Sequence, residues 1–194
     1  LAHANAMAAM PTIVQTETNY DRSAQSRAFD TAMENIQNCP TQSAFMRAVL
    51  DKIGDDDNMD NDDTQLMVFL DAPGGTGKTY CLNAILSYVR ARGKVALAVA
   101  STGIAALLLE GGRTAHSRFK VPIDISEEST CSVSVQSQLG QLLLHTTIIV
   151  YDEAPMHHRF VLEAIDRLMQ DIKNTTAPFG GVHIILAGDF RQIL

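Results

Sequence analysis

"DAPGGTGKTY", residues 71–80, stands between the apolar run "LMVFL" (66–70) and a segment of helical character. A tight turn would account for its proline and glycines, since both residue types punctuate a chain. It would not account for Gly77, Lys78 and Thr79 in register between a strand and a helix. That pattern, G-x-x-x-x-G-K-[ST], is a cradle for nucleotide phosphates. Glycines at 74, 75 and 77 let successive backbone N–H groups turn inward around an anion. The helix that follows adds the positive end of its dipole. Gly74, Gly75, Thr76 and Gly77 form the loop, Lys78 would reach the β- and γ-phosphates of ATP, and Thr79 would offer its hydroxyl to Mg²⁺. Ala72 replaces the first glycine of the pattern, a mild departure at a position that accepts a small side chain.

Outward from the cradle, four short apolar runs alternate with helical segments: "LMVFLD" (66–71), "KVALAVA" (94–100), "TIIVYD" (147–152) and "VHIILAG" (182–188). They are continuously apolar rather than alternating, as strands buried on both faces are. The spacing predicts an α/β fold, a mostly parallel sheet with helices on both faces, and the cradle makes it one of the P-loop NTPase kind. Upstream, "SAQSRAFDTAMENI" reads as a helix capped by Ser23, and "SAFMRAVLDKI" as a second, with Phe45, Val49 and Ile53 at helical spacing. Residues 1–21 are expected to be a disordered or fragmentary lead-in, and 22–194 the folded α/β domain.

The acidic stretch 54–63 holds Asp55, Asp56, Asp57, Asp60, Asp62 and Asp63, most of the net charge of −7. As a calcium loop it fails: Asn61 stands where glycine is needed and Met67 where a bidentate glutamate is needed. Dense like charge instead predicts a solvated loop. Three scattered cysteines without a C-x-x-C argue against a disulfide scaffold or a zinc site and fit a reducing compartment. No apolar run reaches the roughly 18–20 residues of a membrane span. Global charge does not announce a nucleic-acid partner, so any such surface must be local.

The run "TIIVYDEAPM" ends a strand in Asp152-Glu153. An acidic residue at a neighbouring strand end is where a P-loop ATPase holds Mg²⁺, and the adjacent glutamate can activate water. Asp152 is therefore the expected metal residue with Thr79, and Glu153 the expected general base. Gln192, after the last strand, could sense the γ-phosphate. Arg113, Arg118 and Lys120 form the compact basic cluster of the chain, suited to nucleic-acid phosphates. The tandem His157-His158 reads as the exposed start of a helix.

Together, "GGTGKT", "ASTGIAALLLEGGRTAHSRFKVPI", "YDEAPM" and "GDFRQIL" resemble the petite integration frequency (PIF) family of DNA helicases, closest to the versions in Helitron-type transposons. The resemblance covers about residues 22–194 and implies that they are a first RecA-like motor domain, incomplete at its C-terminus. It implies a superfamily-one motor that hydrolyses ATP and moves 5′-to-3′ on single-stranded DNA, with roles in repair, recombination and telomere maintenance, a nuclear location and a monomeric state. It also implies that Gln25 reads the adenine edge, that Thr102 and Gly103 contact DNA phosphates, and that His116 lies near the DNA path. A superfamily-one motor needs a second RecA-like domain with an arginine finger, absent from these 194 residues. This chain alone is thus expected to be weakly active. A non-unwinding P-loop ATPase and an inactive nucleotide-binding relic are the alternatives that the sequence leaves open.

Overall fold

The computed structural model describes residues 12–54 and 65–193. Its strands are β1 (Met67–Asp71), β2 (Val95–Ala100), β3 (Arg113–Thr114), β4 (Thr146–Asp152) and β5 (His183–Gly188). They form one parallel sheet in the order β1-β5-β4-β2-β3. Four of the strands match the four apolar runs to within one residue. β3, only two residues long, has no periodicity to betray it.

The helices are α1 (Thr12–Thr18), α2 (Arg22–Ile36), α3 (Pro40–Ile53), α4 (Lys78–Ala91), α5 (Gly103–Leu108), α6 (Ala115–Phe119), α7 (Gln138–Leu144) and α8 (Arg159–Lys173). Alternate residues of each central strand face opposite ways, and two separate cores result. Ala96 and Ala98 of β2 and Ile148 and Val150 of β4 pack with α2, α3 and α4. Val95, Leu97, Ile149 and Tyr151 pack with α1, α6, α7 and α8. Helices therefore cover both faces, as the uninterrupted apolar runs require.

Some boundaries differ from the sequence reading. The cap of α2 is Asp21 rather than Ser23: its Oδ1 accepts from the backbone N–H groups of Ser23 and Ala24 at 2.9 and 3.1 Å. The second helix begins earlier than expected, at Pro40, whose fixed φ suits a first helical position. Part of the expected lead-in is ordered, because residues 12–18 form α1 and bury Val14 completely. Residues 1–11, and the acidic loop beyond Gly54, lie outside the described residues. Among the described residues, no helix is long and apolar enough to cross a membrane.

One topological fact positions the site. Parallel strands put all their C-terminal ends on one edge, and ligands of open α/β sheets bind there. β5 lies between β1 and β4, so the strands carrying the cradle and the carboxylates are two strand spacings apart, about 10 Å. Gly188 keeps this edge tight. A Cβ there would come within 2.4 Å of Pro155 Cδ, in the turn that follows β4.

Candidate functional site

The cradle opens from the end of β1. Gly75 and Gly77 adopt φ of 79° and 82°, left-handed values that glycine reaches without steric cost. Gly77 is the N-cap of α4, so the loop and the first turn of that helix are continuous. Lys78 is almost fully buried, yet its Nζ reaches across β5 to the carboxylates. It lies 3.0 Å from Glu153 Oε1 and 3.5 Å from Asp152 Oδ1. Thr79 donates its hydroxyl to Asp152 Oδ2 at 3.3 Å.

The carboxylates are set by backbone geometry. Glu153 has φ 53°, a left-handed conformation that costs a non-glycine residue on the order of 1–3 kcal/mol. Its own N–H donates to Asp152 Oδ1 at 2.9 Å, holding the Asp152 carboxylate in place. The turn brings the Glu153 side chain back to Lys78 instead of continuing the strand. Asp152 is sealed while Glu153 stays about one-fifth exposed. A buried carboxylate beside a hydroxyl is a hard-oxygen donor set that fits Mg²⁺. The partly open glutamate fits a role that needs access to water.

Beside the loop lies a cavity of about 460 Å³, lined among others by Pro40, Gln42, Phe45, Leu70, Thr76 and Lys78. Its walls are largely apolar with a few polar groups, the usual make-up of a site for a flat heterocycle. Gln42, at the start of α3, donates its Nε2 to the Thr76 carbonyl at 2.6 Å. The family resemblance implies a base-contacting role for Gln25. Gln25 lies elsewhere: its buried amide donates to Glu110 at 2.9 Å, and Glu110 also faces Arg90 near the C-terminal end of α4. The Glu110 N–H donates to Asn83 Oδ1 at 3.0 Å, in the second turn of α4, about one turn and a half beyond Lys78. Gln25 therefore bonds Glu110 and not the loop, contrary to the expectation of a base-contacting role, and Gln42 is the glutamine that donates to the loop.

Gln192 lies in the exposed 3-10 turn Phe190–Gln192 that follows β5. The turn is tied to the cradle strand, because the Phe190 N–H donates to Asp71 Oδ1 at 3.3 Å and the Phe69 and Phe190 rings stack. It therefore sits on the strand between the cradle and the carboxylates.

The expected nucleic-acid residues line the same edge, after β2 and β3. Thr102 and Gly103 are exposed, and the Thr102 hydroxyl oxygen caps α5 by accepting from the Ala105 N–H at 3.2 Å. His116 packs edge-on against His157, with ring centroids 5.2 Å apart. His157 is half-buried rather than the exposed helix start expected, and its Nδ1 contacts the Tyr151 hydroxyl; His158 is the exposed N-cap of α8. Burial, with the His116 ring second, holds the His157 imidazole below its ordinary value. Burial likewise pushes the Tyr151 phenol up. The basic cluster also needs correcting. Arg113 and Lys120 are exposed, but Arg118 is buried and its Nη1 meets Glu17 Oε1 of α1 at 2.8 Å.

The family model described as PIF1-like helicase matches residues 23–194. The chain belongs to the PIF1-like helicase family. Its relatives include an ATP-dependent DNA helicase Pif1 from Psychrobacter sp., 35% identical over 128 residues, which are 65% of this chain and 19% of that protein. The human ATP-dependent DNA helicase PIF1 is 31% identical over 127 residues, again 65% of this chain and 19% of its own length. Among solved structures, a Pif1 helicase from Bacteroides, crystallised with ADP-AlF3 and ssDNA, superposes with a TM-score of 0.61 at 31% identity. That match covers 74% of this chain and 31% of the Bacteroides chain. The chain thus spans about a fifth of the curated relatives it matches. PIF1-like membership agrees with the parallel sheet and with cradle and carboxylates on one edge.

Proposed function

We propose that this chain is the nucleotide-binding motor domain of an ATP-dependent DNA helicase. One observation carries the reading: Lys78 and Thr79 of the cradle meet Glu153 and Asp152 of a non-adjacent strand at 3.0 and 3.3 Å. A structural turn has no need to bring those four groups together across an intervening strand. Relatives named as ATP-dependent DNA helicases, and a Bacteroides relative bound to ADP-AlF3 and ssDNA, support the same reading.

The roles follow from the residues. The loop N–H groups and Lys78 hold the β- and γ-phosphates, and Lys78 exchanges its carboxylate partners for phosphate oxygens, a like-for-like trade of charge-assisted bonds. That exchange frees Glu153 to accept a proton from the attacking water. Thr79 and Asp152 would hold Mg²⁺, which supplies charge neutralisation at the phosphates when bound. Gln42 and the apolar walls of its cavity would take the base. Gln192, in the turn that follows the strand between the two halves of the site, would report the state of the γ-phosphate to the sheet edge. Thr102, Gly103, His116, Arg113 and Lys120 would face single-stranded DNA. The 5′-to-3′ polarity and a part in repair and recombination belong to this proposal through the family alone.

The test is calorimetry with Mg-ATP. Lys78→Ala is expected to abolish binding. Glu153→Gln is expected to keep it while lowering hydrolysis roughly 10²-fold or more. Equal affinity in wild type and Lys78→Ala would overturn the cradle assignment.

A further inference from the structure

We propose that α1 carries an intramolecular competitor for the nucleic-acid groove: Glu17 occupies Arg118 in place of a strand phosphate. The inference rests on the helicase reading for the identity of the strand, but its geometry stands by itself. Two adjoining depressions of about 620 and 530 Å³ share Thr16, Glu17, Arg113 and Ser117. Together they make a continuous groove from Gly103, beside the Thr102 turn, to Lys120 and Ser137. α1 forms one wall, and β3, α6 and the start of α7 form the other.

Arg118 lines this groove with its side chain only 3% exposed. One nitrogen, Nη1, is bound to Glu17, while Nε has no hydrogen-bond partner among the described residues. A buried guanidinium with a spare donor is a half-used fork. Carboxylate and phosphate present the same charge and the same pair of acceptor oxygens to that fork. A backbone phosphate entering between Arg113 and Lys120 can therefore displace Glu17 without leaving Arg118 unpaired. The exchange needs only a side-chain swing, because α1 itself is held by fully buried Val14. Glu17 then sets a threshold: the groove accepts a polyanionic strand that also engages the exposed cations, and resists isolated anions.

The experiment measures binding of a labelled oligo-dT strand by anisotropy to the 194-residue protein. Glu17→Gln keeps an acceptor for Arg118 but loses the charge. Glu17→Asp keeps the charge but shortens the reach, which separates the pair from a change in net charge. Expected is tighter binding, roughly threefold to tenfold for Glu17→Gln and less for Glu17→Asp. Both gains should vanish in an Arg118→Met background and be absent in Glu128→Gln, which removes an exposed carboxylate that lines neither depression. Wild-type affinity in both Glu17 variants, or a gain that survives Arg118→Met, overturns the proposal. A parallel titration with short inorganic polyphosphate separates the two readings. If polyphosphate shows the same order while oligo-dT binds no variant, the competitor stands and the DNA partner falls. If neither ligand binds any variant, the competitor falls, while Mg-ATP calorimetry still judges the nucleotide site independently.

Discussion

Gln25 and Gln42 differ by 17 positions, and only the structure tells them apart. Gln42 is separated from its partner Thr76 by 34 residues, through the acidic loop, so no local spacing links it to the cradle. Gln25 carried the family resemblance instead. Gln42→Ala is expected to weaken Mg-ATP binding by about tenfold, the scale of one lost side-chain hydrogen bond in a closed site. Gln25→Ala is expected to leave that affinity unchanged and to lower the urea midpoint, since it strips Glu110 of a buried donor. Calorimetry and urea titration of the two variants check this; the reverse pattern would return the role to Gln25. Arg118 was illegible for a similar reason, because its partner Glu17 lies 101 residues upstream. The cradle residues were legible because loop, lysine and hydroxyl are contiguous. A pH effect also belongs to single residues. His157 is faced by the Tyr151 hydroxyl, the His116 ring and the Ser101 backbone, and its folded-state value is lowered. The unfolded chain therefore takes the proton first, so stability is full above about pH 6.5 and is lost as pH falls through the lowered folded value. Urea midpoints at pH 7 and 5 should fall in the wild type and fall less in His157→Gln.

Strands were legible as elements because burial on both faces removes alternation and leaves plain apolar runs. Caps and short pieces were not. Asp21 and Ser23 are both good cap residues, and only the backbone geometry shows which one accepts the first N–H groups. α1 was missed because "TIVQTET" has only one fully buried anchor, Val14, and seven residues are too few for a periodic signal. The β4–β5 edge yields the prediction at this scale. Gly188→Ala puts a methyl 2.4 Å from Pro155 Cδ, a contact that must be relieved by moving a strand end or the Ala154–Met156 turn. A destabilisation of about 1–3 kcal/mol is expected by urea unfolding. Hydrolysis should fall with it, because that turn sets Glu153 opposite Lys78. Loss of stability with unchanged turnover per folded molecule would show that the turn and the carboxylate move independently.

For the whole molecule, the α/β class and the order of motifs could be read from alternating apolar and helical segments. The strand order could not, since nothing local says that β5 inserts between β1 and β4. The relatives are about five times longer than the stretch they share with this chain. Joined to the second motor domain of a PIF1-like relative, this chain is expected to gain DNA-stimulated hydrolysis by roughly 10³-fold or more, the scale of a supplied arginine finger. A phosphate-release assay with and without oligo-dT checks it, and an extended chain without stimulation would speak against the motor.

The insertion of β5 also sets a timetable for synthesis. Within the described sheet β1 pairs with β5 alone, and Leu66 finds its partner His183 across 117 residues. At about 5–20 residues per second, a ribosome needs roughly 6–23 seconds to deliver that partner. For that interval the strand bearing the cradle is an unpaired, largely apolar ribbon, open to wrong partners. A nascent chain halted before His183 should therefore carry every loop residue of the cradle and still bind no nucleotide, and it should be the form that most needs a chaperone.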